Sequence, residues 1–423
     1  MQSHHFFVSK HWEIGLIVLL LLFAGQTTVA QTGQDATAKP AEKVFKLGII
    51  GTTTSHVPAF VGLLNDPKRE GLFRQFEVVG AYPGGMPDNP GSWGRVEIYS
   101  KQLVEKGIAL YSTIEEMLPL VDGVLLESVD GRCHLQQAIP VIMAGKPLFI
   151  DKPMAASLAD VIALFNLAET KKVPIFSSSS LRYSDGVQAI RTDLTLGDIL
   201  GAIAWSPSTR NPTHSALFWY GIHGVETLYT IMGTGCESVA CTGTDEFDMA
   251  VGVWKNGRIG TFRGDRKGRG GYGGTVFGSK KTVDAGNYAG YKPLVEQICQ
   301  FFLDGKSPID ANETIEIMAF MEAAEESLRQ DGKRVKIAEI MERAKNERQL
   351  LLTVRIAADQ SLALGDKKVE LDDLAKEIDS HGKPGTRIRI ILTAAPGYAP
   401  DLLEKVCKNL GTGMLANFVY QLK

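Results

Sequence analysis

Between residues 44 and 178, short apolar runs alternate with longer amphipathic stretches. VFKLGII (44–50), EVVGA (77–81), VDGVLLE (121–127), PLFI (147–150) and VPIFS (173–177) have the length and composition of strands. The stretches between them, VPAFVGLLN, VEIYSKQLVEKG, HLQQAIPVIMAG and LADVIALFNLAET, carry apolar residues three and four apart, the spacing of one helix face. This alternation predicts an α/β fold with a doubly wound parallel sheet over 44–178. Ligands of such sheets gather at the carboxyl ends of the strands. The polar motifs fall at those ends: Gly51 to His56, Glu127 to His134, Asp151-Lys152-Pro153, and Ser177 to Tyr183.

The pattern then changes. MAVGVWKNGRIGTFRG alternates apolar and polar residues around Asn256-Gly257, a hairpin dipeptide, so an antiparallel sheet is expected within 179–337. RGDRKGRGGYGG (263–274) reads as a glycine-rich loop over that sheet. AEIMERAKNERQ (338–349) is a charged helical connector. Residues 350–423 read as strand, strand, helix, strand, helix, strand, with Leu371, Leu374, Ala375 and Ile378 on one helix face, a third and smaller α/β module.

Ahead of the first strand, IGLIVLLLLFAG (Ile14 to Gly25) follows a weakly basic start, and Thr28-Val29-Ala30 ends in small residues. This is the pattern of a Sec-type signal peptide over 1–30, since the block is shorter than the roughly 20 residues a membrane-spanning helix needs. A retained N-terminal anchor is the alternative. Residues 31–43 form a polar tether, and the expected location is periplasmic or extracellular.

The chain has 423 residues, a net charge of -3 and 22% charged residues. This near-neutral balance argues against nucleic acid as a partner, because phosphate binding calls for a basic excess. Its five cysteines, Cys133, Cys236, Cys241, Cys299 and Cys407, leave at least one thiol unpaired. Cys236 and Cys241 could bridge a short loop or stay as buried thiols, and their spacing fits no metal motif.

Taken in order, GIIG after the first strand, SVDGRCH, AGKPLFIDKP, GIHGVETL and AFMEAAEESLRQDGKRV resemble the Gfo/Idh/MocA oxidoreductases over about residues 44–337. The resemblance implies a Rossmann domain that binds NAD or NADP, followed by an α+β domain with an open-faced sheet that carries substrate and oligomer contacts. Residues 350–423 resemble the periplasmic domain of the ExbD/TolR transport family in pattern. That family's acidic transmembrane helix does not precede the module here, so the resemblance implies a dimerisation or partner-binding role rather than proton coupling.

The phosphate loop departs from G-x-G-x-x-G. Gly51 is followed by Thr52, Thr53, Thr54 and Ser55, and only the first glycine is present. These five residues are the expected pyrophosphate contacts, with hydroxyls standing in for close backbone approach; an ordinary helix N-cap by Thr54 or Ser55 would look the same. No acidic residue follows the second strand, which ends Ala81-Tyr82-Pro83. Lys152, after Asp151, is expected to position the substrate hydroxyl beside the nicotinamide, and Asp151 to lie at the cofactor. His223 and Glu226, three apart on a helix, suggest a general base and its orienting carboxylate. Where the family places an Asp four residues before this His, the chain has Trp219.

His134 is expected at the cofactor edge or as a helix cap, and Arg182 and Tyr183 at the substrate. His214, His223 and Glu226 would suffice for an open zinc site, yet nothing fixes His214 near the pair, and no metal is assigned. The expected activity is oxidation or reduction of a sugar or polyol hydroxyl by an exported, self-associating enzyme. The competing readings are a carbohydrate-binding module that has lost hydride transfer, and a redox-neutral lyase or hydrolase that uses NAD.

Overall fold

Phe45–Ile50 (β1) buries its last four residues completely, as a central strand covered on both faces must. In the computed structural model, which describes residues 44–420 apart from Arg269, Asn287 and Thr412, β1 lies at the middle of the first sheet. The expected leader and tether lie outside the described residues. Among the described residues, no helix is long and apolar enough to cross a membrane.

Phe76–Tyr82 (β2), Ala109–Leu110 (β3), Gly123–Leu126 (β4), Leu148–Asp151 (β5) and Ile175–Ser178 (β6) complete an all-parallel sheet in the order β3-β2-β1-β4-β5-β6. Winding reverses between β1 and β4, so a crevice opens above the carboxyl ends of β1, β4 and β5. Gly51 closes the turn after β1 with φ 87°, and a Cβ there would lie 2.2 Å from the Ser128 hydroxyl. Both conditions require glycine, because L side chains avoid that φ and no room exists for one.

The second sheet is mixed. Its strands are Ile199–Pro207 (β7), Cys236–Gly243 (β8), Phe247–Trp254 (β9), Ile259–Asp265 (β10), Gly273–Gly278 (β11), Thr282–Asp284 (β12) and Val335–Lys336 (β13), in the order β12-β11-β7-β10-β9-β8-β13. β7 and β10 pair in parallel, and the other pairs are antiparallel. The β9–β10 hairpin turns at Asn256 (φ 68°) and Gly257 (φ 77°), the left-handed pair that Asn-Gly supplies. Helices Ile222–Met232 and Ala311–Arg329 cover one face. On the other, Ile203, Thr261, Val251 and Thr275 lie abreast and only half-buried.

The loop within 263–274 is shorter than the sequence pattern suggests. Residues 263–265 extend β10, residues 273–274 open β11, and Arg266 is paired to the buried Asp248. All five cysteines are free thiols. Cys236 and Cys241 both sit on β8, and five residues of extended chain hold them about 16 Å apart, beyond the reach of a disulfide.

After the connector helix Ile337–Asn346 comes the third sheet: Arg348–Ile356 (β14), Leu362–Leu364 (β15), Lys367–Val369 (β16), Thr386–Ala394 (β17) and Leu415–Tyr420 (β18), ordered β16-β15-β14-β17-β18. β16 was not legible in the hydrophobic pattern, because it has three residues and two are lysines. The module docks on the Rossmann domain. Met86 and Cys133 join its apolar core with Ile390, Leu392 and Phe418, and Trp93 meets Phe418 edge-on with ring centres 5.4 Å apart. Arg389, which is buried, donates to Asp160 (2.8 Å) and to the Arg132 carbonyl (2.8 Å).

Candidate active site

A cavity of about 180 Å³ opens at the carboxyl ends of β1 and β5. Its Rossmann side is made by Thr54, Ser55, His56, Arg95, Tyr99 and Lys152. The second domain contributes Tyr220, His223, Tyr272, Tyr288 and Tyr291. Five tyrosines thus ring the space. Burial, reinforced by Tyr220 and then Tyr291, pushes the Tyr272 hydroxyl up to about 12, so it stays protonated as a donor.

Lys152 follows β5 directly and is nearly buried. Its Nζ lies 3.9 Å from Asp151 Oδ2 and 5.8 Å above the Tyr220 ring. His223 sits in the first turn of helix Ile222–Met232, with Nδ1 2.7 Å from the Ser179 hydroxyl. Burial, and then the charges of Lys152 and His56, hold its pKa well below the usual imidazole range. A neutral imidazole in the cavity wall can accept a proton.

Glu226 does not orient His223. Although the two are three apart on one helix, the Glu226 carboxylate accepts from the Ser178 hydroxyl (2.7 Å), the Ser179 N–H (2.8 Å) and Arg182 Nε (2.9 Å). It clamps the turn after β6 and leaves Ser179 to hold the imidazole. Arg182 is spent on Glu226 and Glu313 (2.7 Å), and neither it nor Tyr183 lines the cavity, contrary to the substrate role expected of them.

The loop after β1 divides in two. Thr52 and Thr53 are fully buried: the Thr52 hydroxyl lies 3.2 Å from the carbonyls of Pro83 and Val96, and the Thr53 hydroxyl accepts from the Val129 N–H (2.8 Å). Their side chains therefore brace neighbouring turns instead of facing a pyrophosphate. Thr54 and Ser55 do line the cavity, beside Arg95 and at the start of helix His56–Leu64. Two hydroxyls, a guanidinium and a helix N-terminus form a donor set that fits an anionic diphosphate.

His134 is also structural. It is completely buried, with Nε2 2.6 Å from the Ser128 carbonyl and Nδ1 3.2 Å from that of Met154, so it ties together the turns after β4 and β5. His214 lies elsewhere, 3.0 Å from Asp130, so the zinc set with His223 and Glu226 does not form.

Asp151 turns away from the cavity toward two residues that sequence reading left without a role. His56 Nδ1 is 3.0 Å from Asp151 Oδ2 and 3.9 Å from Glu127 Oε2, and all three residues are buried. Burial alone would raise the Asp151 pKa, but His56 and then Lys152 outweigh it and hold the carboxyl below the usual range. Glu127 moves the other way, raised well above that range by burial and then by Asp151.

Comparison with known proteins agrees with this architecture. Residues 95–179 match the family described as "Oxidoreductase family, NAD-binding Rossmann fold". The matched segment runs from the helix after β2 to the end of β6, and so is similar to that family over the carboxyl half of the Rossmann sheet. An uncharacterised oxidoreductase of Synechocystis sp. is 29% identical over 117 residues, 26% of this chain and 31% of that protein. Among solved structures, a probable dehydrogenase from Thermotoga maritima superposes with a TM-score of 0.58 at 18% identity, covering 70% of this chain and 100% of its own. Scyllo-inositol dehydrogenase from Lactobacillus casei, solved with NAD(H) and scyllo-inositol, gives 0.56 at 14% identity, covering 70% and 100%. These likenesses establish the fold, a parallel Rossmann sheet followed by a mixed-sheet domain.

Proposed function

We propose that this protein is an NAD(P)-dependent oxidoreductase that acts on a hydroxyl of a sugar or polyol. The observation that carries the reading is the meeting of Lys152 and His223 on one small cavity, at the ligand edge of the Rossmann sheet. Thr54, Ser55 and Arg95 would hold the diphosphate, and Lys152 would face the substrate hydroxyl beside the nicotinamide. A bound nicotinamide supplies a hydride donor or acceptor. The ammonium of Lys152 donates to the substrate hydroxyl oxygen and lowers its basicity. With Nδ1–H donating to the Ser179 hydroxyl, His223 takes the hydroxyl proton on Nε2. The tyrosine rings pack against C–H faces of the substrate and offer hydroxyls to its oxygens, a surface suited to a polyhydroxylated ligand. The solved inositol dehydrogenases, which hold such ligands with NAD(H), support this class of substrate.

Export by the leader over 1–30 is part of the proposal. So is self-association through the half-buried open face of the second sheet, where Ile203 and Val251 alternate with Thr261 and Thr275. The C-terminal module remains a candidate protein-binding element on the side away from its own docking face.

The test is direct. Purified protein is denatured and the supernatant assayed for nicotinamide nucleotide, and refilled protein is titrated with NAD(H) and NADP(H). Released nucleotide or a saturable fluorescence change is expected. If neither is seen, the ligand-binding reading replaces this one; the internal engagement of Thr52 and Thr53 is the observation that favours it.

A further inference from the structure

Directly behind the His56 side of the cavity, three strand ends bring together a histidine and two acids. His56 opens the helix after β1, Glu127 follows β4, and Asp151 ends β5; these strands are neighbours in the sheet. One ligand atom from each residue lies within 4.8 Å of the other two. Neither oxygen of Glu127 receives a hydrogen bond among the described residues, although the side chain is fully buried. A buried carboxylate without donors is costly to keep unless something else satisfies it.

We propose that His56, Glu127 and Asp151 bind one divalent transition-metal ion of the zinc or manganese class. One imidazole and two carboxylates match the mixed N/O donor set of such ions, and three protein ligands leave a position open, as in metal sites that act on substrate. The two carboxylates balance the ion's charge. Lys152 competes for Asp151 from the other side, which keeps the site weaker than a closed structural one.

The inference does not depend on nucleotide binding, and its test is run without nucleotide. The full-length protein is stripped with a chelator and titrated with Mn²⁺, which avoids the five thiols, and then with Zn²⁺; binding is followed by calorimetry and by electron paramagnetic resonance for Mn²⁺. One ion per chain and a rise in Tm are expected. Glu127→Gln, nearly isosteric, should weaken binding more than about 100-fold, given that outer-shell changes alone cost 10–100-fold. His56→Gln should do the same, and serves alone if the first variant fails to fold. Absence of saturable binding of both ions, or unaltered affinity in the folded variants, overturns the proposal in favour of a proton-shared ion cluster.

Discussion

Two buried ionic clusters lie under the first sheet's carboxyl edge, and they are built on opposite terms. Around Arg132 every charge is met: the guanidinium forks onto Asp88 (2.7 and 2.8 Å) and onto Asp130 (2.9 and 2.8 Å), while Asn89 and His214 also contact Asp130. Asp130 is accordingly held well below the usual carboxylate range: burial pushes it up, and His214 and then Arg132 overcome that. Around Asp151 the arithmetic is incomplete, with Glu127 left without donors and raised. A cluster closed on itself serves as scaffold; one with unspent acceptors is held ready for something that is not protein.

The largest expected effect tests the closed cluster. Arg132→Met leaves Asp88 and Asp130 without their cation and should cost about 3–5 kcal/mol in denaturant unfolding. A loss under about 1 kcal/mol would break the contrast.

Glu325 is an intermediate case. It accepts from the Leu217 N–H (3.1 Å) beside the cavity that Arg132 and His214 share, yet its pKa is raised from 4.5 to about 7, by burial first and also by Glu322. The unfolded chain ionises this group at lower pH than the folded one. Its penalty is therefore absent below pH 4.5, grows toward pH 7 and is complete above. Wild-type stability should fall by up to about 3 kcal/mol across that window relative to Glu325→Gln, for a shift of this size. Parallel pH–stability curves for the two proteins would remove Glu325 from the argument.

At the open site the expected signature is activity lost without stability. Lys152→Met should lower turnover about 100-fold or more while unfolding changes by less than about 1 kcal/mol. Smallest of all, Glu127→Gln removes a buried, donor-less carboxylate, so its stability in metal-free buffer should be unchanged or higher by about 1 kcal/mol. A large loss would show that Glu127 is a closed element like Asp130.

Most of the architecture was legible because it rests on local periodicity. The runs that became β1, β2, β4, β5 and β6 are apolar and bounded, and Asn256-Gly257 could only be a turn. Sites were legible as far as chain-local geometry reaches. Lys152 and His223 could be picked out with their neighbours, but Glu226 could not be separated from His223 by spacing, since its acceptors were claimed by Ser179 and Arg182 from distant segments. Thr52 and Thr53 were misread for the same reason, because Pro83, Val96 and Val129 capture their hydroxyls. The His56–Glu127–Asp151 trio depends on strand order, which no single motif carries. Three of the five cavity tyrosines, Tyr272, Tyr288 and Tyr291, come from glycine-flanked segments without period; RGGYGG and NYAGY were their only trace.

The docking of the third sheet has a practical side. Its anchor, Arg389, reaches into the host domain to pair with Asp160, and Met86 and Cys133 lie in its core. Cutting the chain after Glu347 would therefore do more than remove a tail. It would uncover the apolar patch that Met86 and Cys133 share with the third sheet and leave Asp160 without its cation, so the last 76 residues (347 of 423 remaining) are better regarded as a wall of the Rossmann domain than as cargo attached to it.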